Sequence, residues 1–371
     1  MSVTQKAIAQ RLNVSQAHVA RALAGHVAVS EETRRRIEEV AGEMGYDLQS
    51  NREARSLAGR RHSHRLKTNI IAVALTVPNG VVPRHMPFYG AFLEGVELEA
   101  AAVGNYDVCI IHKRYDEIPR LLRSSELDGA IVSGFTLDQI PVIRSSGLAV
   151  VTYQAPCPGV PSIRPDDYSG MYQATRHLLE LGHRNIAFIG VLSYEDSNEV
   201  VALRLEGYRD ALTEAGVPVR EEWIDTTLMI PDTSGNKYCR GCEICAACMG
   251  WKALKTRAGV ARGQKTPFTA IVCHNDPIAM GVIREAAKDE LSVPRDLSVT
   301  GFDNLSDEYG FHPKITSVGC SHYEMGRNAM SLLRNAIDAN TSAAGVEPYF
   351  ENRIFPVHLT VGESSAAPRD W

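Results

Sequence analysis

Apolar residues recur at helical spacing through the first forty-five positions, at Ile8, Leu12, Val14, Val19, Leu23, Ile37, Val40 and Met44. The pattern predicts three short helices closing one small core. Thr4 can cap a first helix ending at Leu12, and Asn13 suits the turn because it tolerates left-handed dihedrals. Ser15 can cap a second helix over 16–24, with Gly25 ending it. Ser30 opens a third, with Glu31 and Glu32 facing the positive end of its dipole. That arrangement leaves Gln16, Ala17, His18 and Arg21 outward on the second helix. A helix short of acids and presenting amide and guanidinium groups fits a major groove.

Beyond Lys67 the texture changes. Short β-branched runs, "IIAVAL", "YDVCIIH", "GAIVSG" and "LAVVTY", alternate with helical patterns at 89–103 and 117–124. A second set follows, "NIAFIG", "TAIVCH" and "LSVTGF", with helices near 169–181, 199–215 and 277–288. Buried strands alternating with helices indicate parallel sheets, and two such sets indicate two doubly wound α/β lobes. In that architecture ligands bind beyond the carboxyl ends of the strands, so two facing lobes share a cleft. The expected organisation is an all-α helix-turn-helix head at 1–49, a hinge helix and linker at 50–67, and a two-lobed body at 68–371. One lobe is expected to hold about 68–166 with 297–324, the other 167–296 with 325–362.

With 371 residues, 44% hydrophobic and 22% charged, the chain has the composition of a water-soluble protein of more than one folding unit. Its net charge of −5 hides an asymmetry: residues 1–67 carry 12 Lys and Arg against 7 Asp and Glu, while the remainder is acidic. A basic head on an acidic body concentrates phosphate attraction at one end. No apolar run is long enough to span a bilayer, and Gln5, Lys6, Gln10 and Arg11 interrupt any signal-peptide core. A cytoplasmic protein with mainly reduced cysteines is expected.

The stretch "VTQKAIAQRLNVSQAHVARALAG…VSEETRRRIEEVAGEMGY" resembles the head of the lactose/galactose repressor family of bacterial transcription regulators. The likeness continues in order through "NREARSLAGRR", "GHRNIAFIG", "RLEGYRDALTEAGV", "FTAIVCHND", "VPRDLSVTGFDN" and "HPKITSV". The chain departs from the usual pattern at Asn13, where relatives carry glycine, and after Tyr46, where the hinge linker lacks its proline. The resemblance implies a body like that of periplasmic binding proteins, a homodimer, and double-stranded operator DNA as partner, with no membrane. It implies that the hinge orders when two copies meet on DNA, with Leu57 wedged between base steps in the minor groove and Asn51, Arg52 and Arg55 beside it. Read as a repressor, the protein is controlled by a small-molecule effector, a sugar or related metabolite, in the cleft.

Effector contacts follow from the strand ends and the resemblance together. Asp276 comes just after "TAIVCHN", where a carboxylate can accept two hydroxyl hydrogen bonds; as a bare sequence feature it reads equally as a helix cap, a role open to Asn275 too. Arg204, in "RLEGY", offers a guanidinium fork. Phe88 and Tyr89 can give an apolar face to a sugar ring. Asp166, Ile230 and Cys320 fall near family pocket positions.

No motif for an enzyme competes: "GxSxG", a Walker lysine loop and H-E-x-x-H are all absent, and no cofactor is expected. One feature stands apart. Cys239, Cys242, Cys245 and Cys248 are spaced by threes, which as a metal- or redox-sensing run would suit zinc or an iron–sulfur cluster. The structural alternative is preferred: an amphipathic helix with Tyr238, Cys242, Cys245 and Met249 on its packed face. Four cysteines on an unbroken helix fan around about half its circumference and cannot converge on one ion.

Overall fold

In the computed structural model, residues 5–23, 29–45, 67–76, 87–113, 117–193, 199–229, 243–261, 264–341 and 349–369 are described. The chain divides into two compact units, Met1–Lys67 and Thr68–Trp371.

The first unit contains α1 (Gln5–Leu12), α2 (Gln16–Leu23) and α3 (Glu31–Glu43). All eight apolar residues of the opening pattern join one cluster, completed by Ala9, Ala22, Val29 and Ala41. Asn13 takes the left-handed conformation expected of it, at φ 54°. The Ser15 hydroxyl accepts the His18 amide at 3.1 Å, and the Ser30 hydroxyl accepts the Thr33 amide at 3.3 Å, satisfying donors that the helices leave open. Thr4, Gly25 and the hinge residues Asn51, Arg52, Arg55 and Leu57 lie outside the described residues.

The second unit runs β1 (Ile70–Thr76), α4 (Pro87–Gly104), β2 (Asp107–Lys113), β3 (Gly129–Ser133), α5 (Gln139–Arg144), β4 (Ala149–Tyr153), β5 (Ser162–Pro165) and α6 (Asp167–Glu180). It continues with β6 (Ile186–Ser193), α7 (Glu199–Glu214), β7 (Ile224–Met229), α8 (Glu243–Arg257), β8 (Ala270–Cys273), α9 (Asp276–Lys288) and β9 (Ser298–Phe302). Then come α10 (Ser306–Tyr309), β10 (Thr316–Gly319), α11 (His322–Thr341), β11 (Asn352–Phe355) and β12 (His358–Thr360). The strands form two six-stranded sheets, ordered β11-β5-β4-β3-β1-β2 and β12-β10-β9-β8-β6-β7. Among the described residues all pairings are parallel except β10 with β12. Both lobes therefore wind in the same sense, with the order reversing between β1 and β3 in one and between β6 and β8 in the other.

This register corrects the expected lobe boundaries. The run "LSVTGF" does not return the chain to lobe one: β9 pairs with β8 and β10 with β9, so both belong to lobe two. The return comes after β10, where α11 packs Met325, Met330, Leu332, Leu333 and Ile337 into the lobe-one core around Phe92 and Tyr153. β11 then pairs with β5, and β12 goes back to lobe two. Lobe one is thus 68–166 with about 320–355, and lobe two is 167–319 with the C-terminal segment. The chain crosses between lobes near 166, 320 and 356. The helix expected at 117–124 is also shorter, a single 3₁₀ turn at Arg120–Arg123 opened by Pro119.

The cysteine segment is reached in part. Cys239 and Cys242 lie outside the described residues, while Cys245 and Cys248 sit on the continuous helix α8. The packed face of that helix differs from expectation: Ala247, Trp251 and Leu254 enter the core and Met249 is 51% exposed. Trp251 decides the rotation, because its indole fills the space against Phe268 and donates to Asp289 at 2.8 Å. Among the described residues no group of His, Cys, Asp and Glu has a metal-holding arrangement.

Candidate functional site

The two candidate surfaces lie in separate units. On α2, Gln16 and Arg21 are exposed and His18 is half-buried, while Val19, Ala22 and Leu23 face inward. One face of this helix thus carries polar groups while the other closes the bundle. The backbone of Ala17 lies on the same helix.

In the body, polar residues gather where the chain passes beyond the carboxyl ends of lobe-two strands. Arg204, on α7 after β6, is nearly buried. Its Nε donates to Asp167 Oδ1 at 2.9 Å, its Nη2 lies 2.8 Å from the same oxygen, and its Nη1 donates to the His274 carbonyl at 2.5 Å. The guanidinium carbon also lies over the Phe302 ring, 3.8 Å from its centroid. Arg164 approaches the other Asp167 oxygen at 3.5 Å. Burial still pushes the Asp167 pKa above the usual carboxylate range, against the pull of Arg204. Burial, helped by the Arg204 charge, holds His274 well below the ordinary histidine value, so its imidazole is neutral.

Of the two residues open to the cap role, the structure gives it to the first. Asn275 is the cap of α9, its side chain accepting the Ile278 amide at 3.1 Å. Asp276 is 0% exposed, and its two oxygens accept the Leu305 amide and the Ser317 hydroxyl, each at 2.6 Å. Gly301 lies against Oδ1, and any side chain there would overlap the carboxylate. Both Asp276 oxygens are thus engaged within the protein. Asp276 holds the turn after β9, in which Asp303 and Asn304 both take positive φ, 96° and 55°. Asp303 is a half-buried carboxylate of this region. Its charge acts on Tyr153, Asp167, Asp276, Cys320 and His322.

Lobe one supplies aromatic groups. Phe88 and Tyr89 open α4 with ring centroids 4.0 Å apart, and Phe88 lies 5.7 Å from His322. Tyr89 is buried and Phe88 is half-buried. Asp166, at the first crossover, caps α6 through the Ser169 amide at 3.0 Å and remains half-buried. Cys320, at the second crossover, is half-buried beside Met325; burial, then Asp303 and Asp167, push its thiol up to about 12. Ile230 lies outside the described residues. Sequence reasoning missed Asp167, His274, Asp303 and His322. The adjacent acids "DD" at 166–167 and the acid after "TGF" were visible, but nothing local distinguishes a cap from a buried ion-pair partner.

The model for bacterial regulatory proteins of the lacI family matches residues 4–48. The periplasmic binding proteins and sugar binding domain of the LacI family match 75–229, and the periplasmic binding protein-like domain matches 175–365. The chain belongs to the LacI family. It is a DNA-binding transcriptional regulator of that family, and its relatives are regulators too. It is 28% identical to the HTH-type transcriptional repressor CytR of Escherichia coli (strain K12) over 99% of this chain and 97% of that protein. It is 28% identical to Catabolite control protein A of Priestia megaterium, covering 92% of this chain and 94% of that one. Among solved LacI-family structures, the fold is similar to the lac repressor dimer bound to operator and the anti-inducer ONPF, at TM-score 0.66 and 19% identity, over 99% and 100% of the two chains. It is equally similar to the regulator CelR in its cellobiose complex, at TM-score 0.66 and 23% identity, over 98% and 100%. No described helix is long and apolar enough to cross a membrane.

Proposed function

We propose that this LacI-family regulator is a cytoplasmic homodimeric repressor whose operator affinity is set by a small hydroxylated effector held between the two lobes. Two copies of α2 present Gln16, Ala17, His18 and Arg21 to successive major grooves, with Thr4, Ser15 and nearby backbone amides on phosphate. Asn51, Arg55 and Leu57 act at the hinge. In the body, Arg204, Phe88, Tyr89 and Asp166 face the effector, and Asp303 takes the carboxylate role first expected of Asp276.

The observation that carries this reading is the Arg204 guanidinium, over the Phe302 ring and tied to Asp167 and the His274 carbonyl at the ends of the lobe-two strands. A cation so thoroughly fixed is preorganised to present its remaining donor capacity without losing further side-chain entropy. A carboxylate nearby and a half-exposed aromatic on lobe one complete a site that can bind hydroxyls on one side and a ring face on the other. Relatives add to this: CelR is solved with cellobiose, and a LacI-family regulator from Enterococcus faecium with bound ribose. Binding across the cleft favours one arrangement of the lobes, and reciprocity requires that DNA and effector alter each other's affinity by the same factor.

A melting-temperature screen against monosaccharides and disaccharides tests the reading, because a ligand that binds the folded state alone raises the transition. The active compound should then change operator affinity of the wild type and leave that of Arg204→Lys unchanged. An effector response that persists in Arg204→Lys would move the site elsewhere.

A further inference from the structure

His322 begins α11, where the chain re-enters lobe one, and is 8% exposed. Its Nδ1 lies 2.9 Å from the Tyr153 hydroxyl, while its Nε2 is sealed from solvent with no hydrogen-bond partner among the described residues. Tyr153 is fully buried, its ring stacked on Phe92 at 3.8 Å between centroids. His322 Nδ1 is the partner of its hydroxyl among the described residues. A buried phenol that does not donate forfeits a hydrogen bond, so Tyr153 is the donor of this pair. Burial keeps the imidazole neutral against the pull of Asp303, with smaller opposed contributions from the charges of Arg204 and Glu308. A neutral ring that accepts at Nδ1 carries its proton on Nε2. The outcome is an N–H that is buried, fixed in direction and unused. Unsatisfied donors of that kind are rare in native proteins and ask for a partner.

The surroundings suggest what that partner is. Half-buried Phe88 stands 5.7 Å from the imidazole. An acid or phosphate entering here would face Asp303 and would find Arg204 already neutralised by Asp167. A hydroxyl has no such conflict, because it can accept from the imidazole and donate to a carboxylate. We propose that His322, held as its Nε2–H tautomer by Tyr153, is a specificity-determining donor of the effector site that reads an oxygen of an uncharged, hydroxylated ring compound lying against Phe88. This rests on the reading of the cleft as an effector site.

The test uses full-length protein with ribose, cellobiose, adenosine and uridine as neutral probes and ribose 5-phosphate as the anionic one. At least one neutral probe should bind, and ribose 5-phosphate should bind no better than ribose. For the probe that binds, His322→Phe should weaken affinity at least about tenfold, because a buried polar contact is lost. His322→Gln, which retains an N–H at similar reach, should recover part of it. Nitrogen-15 spectra of histidine-labelled protein should show His322 protonated at Nε2, and Tyr153→Phe should relax that preference. Normal binding by His322→Phe together with failure in Arg204→Lys would overturn the role of His322 and keep the cleft. Normal binding in both variants would overturn the cleft reading as well. Binding of ribose 5-phosphate alone, or of no neutral probe, would overturn the ligand class, and a proton on Nδ1 would overturn the tautomer lock.

Discussion

Gly95 and Gly326 are reciprocal. A Cβ on Gly95 would overlap the Tyr323 carbonyl, three residues before Gly326, and a Cβ on Gly326 would overlap the Phe92 carbonyl, three residues before Gly95. Helices α4 and α11 thus touch backbone to backbone. This contact fastens α11, which enters from lobe two, onto the core of lobe one. It also sets the relative position of Phe88 and His322, each at the start of its helix.

Because the obstacle on each side is a helix carbonyl and not a flexible side chain, overpacking cannot be relieved by a rotamer change. Gly326→Ala should destabilise the protein by about 3 kcal/mol, near the upper end for a single added methyl in a packed core. Guanidinium unfolding of the variant measures it. A loss below about 0.5 kcal/mol, the usual scale of a surface change, would mean the helices can part freely.

Arg204→Ala should be costly in a second way, since it leaves Asp167 buried without its main partner. Breaking a buried pair by removing one member costs on the order of 3–5 kcal/mol. Arg204→Lys keeps a positive charge but neither the fork nor the guanidinium contact over Phe302, so it should retain much of the stability while losing effector response. Equal stability of wild type and Arg204→Ala in urea melts would contradict the arrangement.

Stability should fall on both sides of an intermediate pH. Burial pushes Asp276 from 3.8 up to about 8, so between those values the folded protein holds a proton that the unfolded chain releases, and stability declines as pH rises. On the acid side, burial holds His183, His274 and His322 below the histidine value of 6.5, so the unfolded chain takes up protons first and stability declines as pH falls below about 6.5. The advantage of wild type over Asp276→Asn should therefore shrink from pH 5 to pH 8. An advantage that stays level over that interval would show that Asp276 is ionised throughout.

In the head, Ser15→Ala removes the acceptor for the His18 amide and should cost about 1 kcal/mol. Its effect on operator binding should be similar for every site sequence. Gln16→Ala and Arg21→Ala should instead weaken binding mainly at particular base pairs, by about 1–3 kcal/mol each, read by competition among selected operators. Uniform loss across sequences in both variants would make these residues phosphate contacts.

The sequence by itself determined the local architecture. Helical periodicity from Ile8 to Met44, the caps Ser15 and Ser30 and the turn at Asn13 are short-range matters, decided by neighbours within one or two turns. The β-branched runs of β1, β3, β4, β6, β8 and β9 were legible for the same reason. Tertiary structure decided which lobe owns each late element, because "LSVTGF" is equally apolar in either sheet and only its pairing with β8 and β10 places it. It also decided the division of labour among the acids. Asp166 and Asp167 are adjacent in the chain, as are Asn275 and Asp276, yet one of each pair caps a helix while the other is buried against a partner distant in sequence. The field at a carboxylate comes from groups brought close by folding, and chain order does not encode that distance.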